Sequence, residues 1–222
     1  MEFNLVQKIA IYALPVIFAI TLHEAAHGYV ARHFGDSTAH RLGRISLNPV
    51  RHIDLVGTIV LPLIILVTSS LFGGSGMLFG WAKPVPVNFN ALRNPKRDML
   101  WVAAAGPAAN LIMALGWALI LKIVLLAPAN MFSVPASLMA EGGIAVNVML
   151  MVLNLLPILP LDGGRIAVSL LPNRLAYPFA RLEPLGFPIL LVLLFTNLLG
   201  VILYPVIRVS IGMIDTLFQL GL

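Results

Sequence analysis

The distribution of apolar residues along the chain predicts a bundle of membrane-spanning helices. A helix needs about 20 apolar residues to cross a bilayer, and stretches of that kind lie at about 4–33, 54–72, 98–126, from Gly143 into 154–165, and 185–220. The last stretch is long enough for one span plus a shorter helix, with the break expected at Gly200 and Pro205. We therefore predict an all-α polytopic membrane protein of about five to six transmembrane segments, forming one domain over residues 1–222.

One polar connection has a pattern that a helix cannot accommodate. The segment 80–88 contains Pro84 and Pro86, and two prolines two positions apart exclude a helix. In an extended conformation both prolines face one edge, which leaves the backbone N–H groups of Val85 and Val87 on the other edge. Non-helical backbone at membrane depth is tolerated only against protein or a water-filled cavity. The pattern thus predicts a re-entrant extended loop, entered after a breaker at Gly73–Gly76.

Composition supports a membrane protein and excludes several other classes. Hydrophobic residues make up 59% of the chain and charged residues 10%, compared with about 25% charged residues in a soluble domain. The net charge of +5 is spread over short loops, so it does not indicate a nucleic-acid partner. Cysteine is absent, so a metal would have to be bound by histidine and carboxylate side chains.

The positions of the basic residues predict the orientation in the membrane. Regions 31–53, 88–98 and 165–183 contain ten of the 14 Lys and Arg residues, whereas the connection 127–143 contains none. The positive-inside rule places those three regions in the cytoplasm and the N-terminus outside. We expect the cell membrane of a prokaryote as the location.

The strongest chemical signal is the motif His-Glu-Ala-Ala-His at residues 23–27. Two histidines four positions apart share one face of a helix, so His23 and His27 can reach one metal ion. Glu24 is placed to act on a metal-bound water rather than to bind the metal. No charged residue occurs from Ile11 to Thr21, so the motif lies within an apolar segment. Ionisable groups at membrane depth are costly, which indicates that they have a function.

A hydrolytic zinc site commonly has three protein ligands and one water. Of the nine carboxylates, most lie in loops or near segment ends, whereas Asp162 lies in the broken fourth helix, before Gly163 and Gly164. On the predicted topology both Asp162 and His27 approach the cytoplasmic face, although 135 positions separate them. We therefore predict Asp162 as the third ligand. His52 and Asp54 form another pair, for which a helix cap by Asp54 is favoured over a second metal.

Three motifs together resemble the site-2 protease family of intramembrane zinc metalloproteases. They are the His-Glu motif, Gly-x-x-x-Asn at Gly106–Asn110, and Asn-x-x-Pro-x-x-Pro-Leu-Asp-Gly-Gly at Asn154–Gly164. The segment 80–88 also resembles the family's membrane-associated extended loop near the active site, and the resemblance covers residues 23–165. It implies one zinc ion per chain bound by His23, His27 and Asp162, with Glu24 as the general base. It also implies that Asn154 helps to hold the substrate carbonyl or the oxyanion.

The resemblance implies an enzyme that hydrolyses peptide bonds within or near transmembrane segments of membrane proteins in the lipid bilayer. The chain has no room for a PDZ or CBS domain, so a minimal core-only form is expected. An unwound substrate could add as a strand to the open edge of Val85 and Val87, with Lys83 and Asn110 as further substrate-binding candidates. For Lys83 a snorkelling role is the alternative, and for Asn110 hydrogen bonding between packed helices is the alternative.

The sequence leaves two alternatives to a protease. A metal or proton transporter also uses buried histidines and broken helices, but no obvious inverted repeat is present. An inactive protease-like scaffold is disfavoured because Glu24 is retained.

Overall fold

The computed structural model describes residues 5–60, 64 and 82–222, and every regular element in them is helical. The α-helices are α1 (Leu5–His33), α2 (Thr38–Arg41), α3 (Pro95–Leu126), α4 (Ser133–Asn154), α5 (Asp162–Leu170), α6 (Asn173–Ala180), α7 (Glu183–Phe195) and α8 (Leu198–Phe218). Two 3₁₀ turns, Pro49–His52 and Phe89–Ala91, and a π-helical turn, Leu55–Val60, complete the set. The all-α prediction is therefore confirmed.

Fewer membrane spans are found than predicted. Within the described residues three helices, α3, α4 and α8, are long and apolar enough to cross a membrane. The pair α6 and α7 adds a fourth if it forms one span bent by 66°. The number of spans in the described part of the chain is thus lower than the predicted five to six segments. The predicted segment 54–72 and the breaker at Gly73–Gly76 lie mostly outside the described residues.

Small side chains allow the central helices to pack closely. Helices α1, α3 and α4 pack against one another, α5 packs on α3, and α8 packs mainly on α4. Ala114 and Ala118 of α3 are fully buried and share a core with Ile144 and Val148 of α4. Small residues at helix interfaces let backbones approach, which is how membrane helices gain packing contacts. This arrangement places the second half of α1 directly beside α3 and α4.

Two predicted helix boundaries are wrong. Helix α4 begins at Ser133 rather than near Gly143, since Pro135 falls in its first turn, where proline is tolerated. The break in the last region occurs at Asn197, whose φ of 60° ends α7 and precedes α8. Gly200 and Pro205, the predicted break, lie inside α8. Asparagine is one of the few residues other than glycine that adopts this left-handed conformation readily.

Candidate metal centre and active site

The two histidines of the predicted motif and Asp162 meet in the structure. His23 and His27 lie one turn apart on α1, and their Nε2 atoms are 3.1 Å apart. The Oδ2 atom of Asp162 lies 3.2 Å from Nε2 of His23 and 3.4 Å from Nε2 of His27. All three residues are buried. This oxygen is buried and has no hydrogen-bond partner in the described part of the chain, so the site has an unsatisfied acceptor.

Asp162 reaches the histidines because the chain folds tightly between α4 and α5. A Cβ atom on Gly163 would lie 2.2 Å from the carbonyl oxygen of Leu155, and one on Gly164 would lie 2.5 Å from the backbone nitrogen of Leu159. No side chain fits at either position. The two glycines therefore allow the first turn of α5 to pack against the preceding loop, and this packing brings Asp162 over α1.

The three donor atoms fit a tetrahedral zinc ion. Zinc binds imidazole nitrogen and carboxylate oxygen at about 2.0–2.2 Å, so two ligands of a tetrahedron are about 3.3 Å apart. The observed separations of 3.1, 3.2 and 3.4 Å match that spacing. Among the described residues, His23, His27 and Asp162 are the one group of three such side chains whose ligand atoms converge.

Hydrogen bonds on the far side of each imidazole fix which nitrogen faces Asp162. Nδ1 of His27 lies 2.7 Å from the carbonyl oxygen of Val102, and Nδ1 of His23 lies 2.5 Å from Oδ1 of Asn110. Since a carbonyl oxygen only accepts, each Nδ1 carries the hydrogen and donates it. Each Nε2 then keeps its lone pair for a metal, the arrangement common to metal-bound histidines.

Helix α3 approaches the two histidines at Gly106. A Cβ atom at that position would lie 2.4 Å from Nε2 of His27 and 2.5 Å from Cε1 of His23. One turn later, Asn110 is fully buried and hydrogen-bonds to His23. The Gly-x-x-x-Asn motif thus supplies space for both histidines and a hydrogen-bond partner for His23. The amide of Asn110 is engaged inside the helix bundle, which is the contact expected from the alternative of hydrogen bonding between packed helices.

The extended segment 82–88 has no regular helix, as predicted, and it lies across Glu24. The backbone N–H of Val85 donates to Oε2 of Glu24 at 2.7 Å. The prediction that the Val85 N–H is available for a substrate strand is therefore wrong, because α1 supplies its acceptor. A carboxylate has about four acceptor sites, so this hydrogen bond leaves Glu24 able to accept a proton.

Further polar contacts attach the same segment to the loops after α1. The backbone N–H of Lys83 donates to the carbonyl oxygen of His52 at 2.8 Å, and Arg44 donates to the carbonyl oxygens of Lys83 and Pro84 at 3.0 and 3.2 Å. The buried carboxylate of Asp36 accepts the N–H of Asn88 at 2.7 Å. These contacts fix the position of the segment from end to end.

The surroundings of Asp36 favour its ionised form although the side chain is buried. Burial opposes its charge, but hydrogen bonds from the side chain and backbone of Thr38 and from the backbone of Asn88 outweigh burial and lower its pKa below the ordinary value of 3.8. The backbone N–H of Thr38 lies 2.9 Å from Oδ1. Because each Asp36 oxygen has its own donor, the carboxylate connects the end of α1 to the extended segment.

A cavity of about 630 Å³ opens beside the metal-ligand group. Its walls come from α1, the extended segment, α3, the end of α4, the start of α5 with the loop before it, and α7. The lining residues include His23, Glu24, His27, Val85, Val87, Asn154, Asp162, Arg165 and Phe187. Of the predicted substrate-contacting residues, Val85, Val87 and Asn154 therefore line this cavity. Lys83 and Asn110 are not part of the lining.

Asn154 and the pair His52 and Asp54 have defined partners. Nδ2 of Asn154 donates to the carbonyl oxygen of Leu150 at 2.9 Å, so one of its two N–H donors remains for another acceptor. Oδ1 of Asp54 accepts the backbone N–H of Gly57 at 2.7 Å, which confirms the cap interpretation. His52 contacts the carbonyl oxygen of Ser46 through Nε2 at 2.8 Å. The pair is thus part of the loop structure.

Sequence reasoning missed two contributors to the site. Asn147, in the middle of α4, is fully buried and hydrogen-bonds to Asn110. Arg165, one turn after Asp162, lines the cavity, pairs with Glu183 at 3.1 Å and lies 4.9 Å from the centre of the Phe89 ring. In the sequence, Asn147 could have been found as a polar side chain within an apolar span. Arg165 could have been found from its position three residues after Asp162, on the same face of a helix.

The fold and the site define a helical membrane protein with a buried group of two histidines and one aspartate that could hold a metal ion. The chain is 37% identical over 212 residues to the Bacillus subtilis protein named "Putative zinc metalloprotease YwhC", with 93% of this chain and 90% of that protein covered. It is 32% identical over 189 residues to the Mycolicibacterium smegmatis protein named "Putative zinc metalloprotease Rip2", with 83% of this chain and 66% of that protein covered. No family model and no solved structure matches the chain. The chain belongs to this family of zinc metalloproteases, the site-2 protease type.

Proposed function

We propose that the protein is an intramembrane zinc endopeptidase that cuts peptide bonds within or near the transmembrane segments of other membrane proteins. The observation that carries the proposal is the triangle of His23, His27 and Asp162 with Glu24 at the same cavity. Two neutral histidines and one carboxylate form a donor set found in hydrolytic zinc sites. The apolar helices around the cavity support a substrate that also lies in the membrane.

Glu24 acts as the general base in this proposal. When bound, zinc supplies a Lewis acid that polarises the scissile carbonyl and makes water a stronger nucleophile at neutral pH. Glu24 takes the proton from water and delivers it to the leaving amine. Its hydrogen bond to the Val85 N–H holds the carboxylate toward the cavity. The base is thus oriented by the segment that also forms the cavity wall.

Asn154 provides a donor for the oxyanion. Its side chain lines the cavity, and one N–H remains after the hydrogen bond to Leu150. Donors of this kind contribute about 3–4 kcal/mol to transition-state stabilisation in other hydrolases. We expect Asn154→Leu to lower kcat with little change in the zinc content.

A helical substrate must unwind before its peptide bonds can be attacked. The backbone N–H of Val85 is engaged with Glu24. In this proposal an unwound substrate strand therefore pairs with the backbone at Val87, which leaves the hydrogen bond of Val85 intact. Placement of the site toward the cytoplasmic face of a prokaryotic cell membrane, as the basic loops indicate, would give water a short path to the cavity.

The test is cleavage of a model transmembrane substrate by purified wild type and Glu24→Gln, with bound zinc measured in both. We expect wild type to cut, Glu24→Gln to lose cutting, and both to hold about one zinc, because Glu24 is not a ligand. Glu141→Gln, the same change at an exposed position of α4, is the matched control and should cut like wild type. Equal cutting by Glu24→Gln would refute the role of the base, and absence of zinc from folded wild type would refute the metal site.

A further inference from the structure

A line of buried side-chain amides connects the metal-ligand group to the backbone of α4. Nδ2 of Asn147 donates to the carbonyl oxygen of Gly143 at 2.8 Å, and Oδ1 of Asn147 accepts from Nδ2 of Asn110 at 3.0 Å. Oδ1 of Asn110 accepts from Nδ1 of His23 at 2.5 Å. Nδ2 of Asn110 also lies 3.3 Å from the carbonyl oxygen of Ala19. Three helices, α1, α3 and α4, are thereby joined by one set of hydrogen bonds.

The direction of every hydrogen bond in this line follows from its far end. The Gly143 carbonyl oxygen can only accept, so the amide nitrogen of Asn147 must face it and the amide oxygen must face Asn110. Asn110 must then present its nitrogen to Asn147 and its oxygen to His23. The remaining partner, Nδ1 of His23, has to be the protonated ring nitrogen. Asn147, together with the more distant carbonyl oxygen of Ala19, thus sets the orientation of Asn110 and through it the tautomer of His23.

Because both amides are buried, water cannot satisfy a reversed set of hydrogen bonds. Asn110 and Asn147 are both fully buried. Asn147 is flanked on α4 by Ile144 and Val148, which belong to the apolar core. A buried amide without partners is costly, and no reversed arrangement satisfies all the groups. Hydrogen bonding that only fastens helices together would not need to end on a metal ligand.

We propose that Asn147 is a positioning residue for the metal site, which acts through Asn110 to hold His23 in the tautomer that carries hydrogen on Nδ1, with Nε2 directed at Asp162. This inference rests on the proposed zinc site, since it concerns a ligand of that site. Partners behind metal-bound histidines typically change metal affinity by about 10–100-fold when they are removed. Asn110 is the direct partner of His23, and Asn147 is one hydrogen bond further from the metal. We expect the removal of Asn147 to change the zinc affinity within that range.

The experiment compares wild type with Asn147→Leu, Asn147→Asp and Val148→Ala, each as the full chain in detergent. Asn147→Leu removes the polar group at similar volume. Asn147→Asp keeps an acceptor oxygen toward Asn110, and because burial favours the neutral carboxylic acid, its O–H can donate to the Gly143 carbonyl oxygen. It is the conservative variant. Val148→Ala removes buried volume from the adjacent core position and controls for a general loss of stability. If Asn147→Leu fails to fold, Asn147→Ser, which is too short to reach Asn110, takes its place.

Two measurements are made on each variant. Competition with a chelator gives the zinc affinity, and ¹⁵N spectra of histidine-labelled, metal-free protein report which ring nitrogen of His23 is protonated. We expect Asn147→Leu to bind zinc about 10–100-fold more weakly and to show a mixture of His23 tautomers. Asn147→Asp and Val148→Ala should stay close to wild type in both measurements.

Wild-type affinity and an unchanged tautomer in Asn147→Leu would overturn the proposed role. An equal loss of affinity in Val148→Ala would also overturn it, because packing alone would then explain the result. Failure of the proposed function is distinguishable, since the tautomer is measured without metal. If the wild type took up no zinc while Asn147→Leu still shifted the tautomer, the control of His23 would stand and the zinc site would fall.

Discussion

Replacement of Gly106 by alanine tests the geometry of the metal site with a single added methyl group. The new Cβ atom would lie 2.4 Å from Nε2 of His27 and 2.6 Å from Nε2 of His23. Non-bonded heavy atoms prefer separations of about 3.5–4.0 Å, so the imidazoles would have to move by about 1 Å or more. Ligand distances at a metal site hold within about 0.2 Å. The displacement therefore exceeds what zinc coordination tolerates.

The two effects of this substitution on stability have opposite signs. Alanine is favoured over glycine inside a helix by about 0.5–1 kcal/mol, whereas overpacking of a tight interior costs about 1–3 kcal/mol. At Gly106 we expect the clash to prevail, with a net loss of about 1–2 kcal/mol. Gly116, on the same helix, has no neighbour within 4 Å of an added Cβ atom, so Gly116→Ala should be stabilising by up to about 1 kcal/mol.

The assay measures bound zinc, cleavage of a model substrate and the thermal unfolding temperature for both variants. We expect Gly106→Ala to lose zinc and cleavage while retaining its helical content, and Gly116→Ala to keep both. If Gly106→Ala bound zinc and cut like wild type, α3 would not lie against the two histidines in the working protein. The reasoning about the metal site would then be refuted at its closest contact.

Three further predictions concern the base, a buried carboxylate and the metal. Val85→Pro removes the N–H that donates to Glu24. Because a hydrogen bond to a charged group contributes about 1.5–3 kcal/mol, kcat should fall by about tenfold or more at unchanged zinc content. Val85→Ala keeps the N–H, so its kcat should fall less. Equal kcat in the two variants would contradict the role of that N–H. The lowered pKa of Asp36 in the folded state contributes stability above the ordinary value of 3.8, and that contribution disappears as the pH falls through the folded value. The wild-type advantage over Asp36→Asn in thermal unfolding should therefore be present at pH 7 and shrink below pH of about 4; a constant difference would count against it. Removal of metal with a chelator should abolish cleavage and zinc should restore it, while cleavage that survives complete metal removal would rule out a metalloprotease.

The helices that were well predicted are those in which apolar residues dominate without interruption. The apolar stretch at 4–33 corresponds to α1, and 98–126 lies within α3. The start of α4 was missed because Pro135 and Glu141 weaken the apolar signal, yet one lies in the first turn and the other is exposed. The break at Asn197 was missed because left-handed asparagine has no periodic signature. Boundaries set by one residue's backbone conformation are not visible in hydrophobicity.

For the site, the spacing of the motifs predicted the group of His23, His27 and Asp162. It did not predict the residues that hydrogen-bond to the site from the neighbouring elements. The convergence of His23, His27 and Asp162 follows from helix geometry and from the topology of the basic loops. The hydrogen bonds of Asn147 to Asn110 and of Val85 to Glu24 depend on contacts between elements far apart in sequence. A backbone N–H in particular has no residue-type signal, since nearly every residue has one.

The convergence of His23, His27 and Asp162 has a mechanical consequence for the whole chain. His27 and Asp162 are 135 positions apart, so one ion bound between them would act as a cross-link that closes a very long loop. In the chain-entropy description of disulfides, closure of a loop of about 100 residues restricts the unfolded chain by about 4.7 kcal/mol. Zinc bound to the folded chain would therefore hold α1 and α5 together, in addition to its proposed role in catalysis. Loss of the ion would weaken the attachment of α5 to α1, and with it one wall of the cavity.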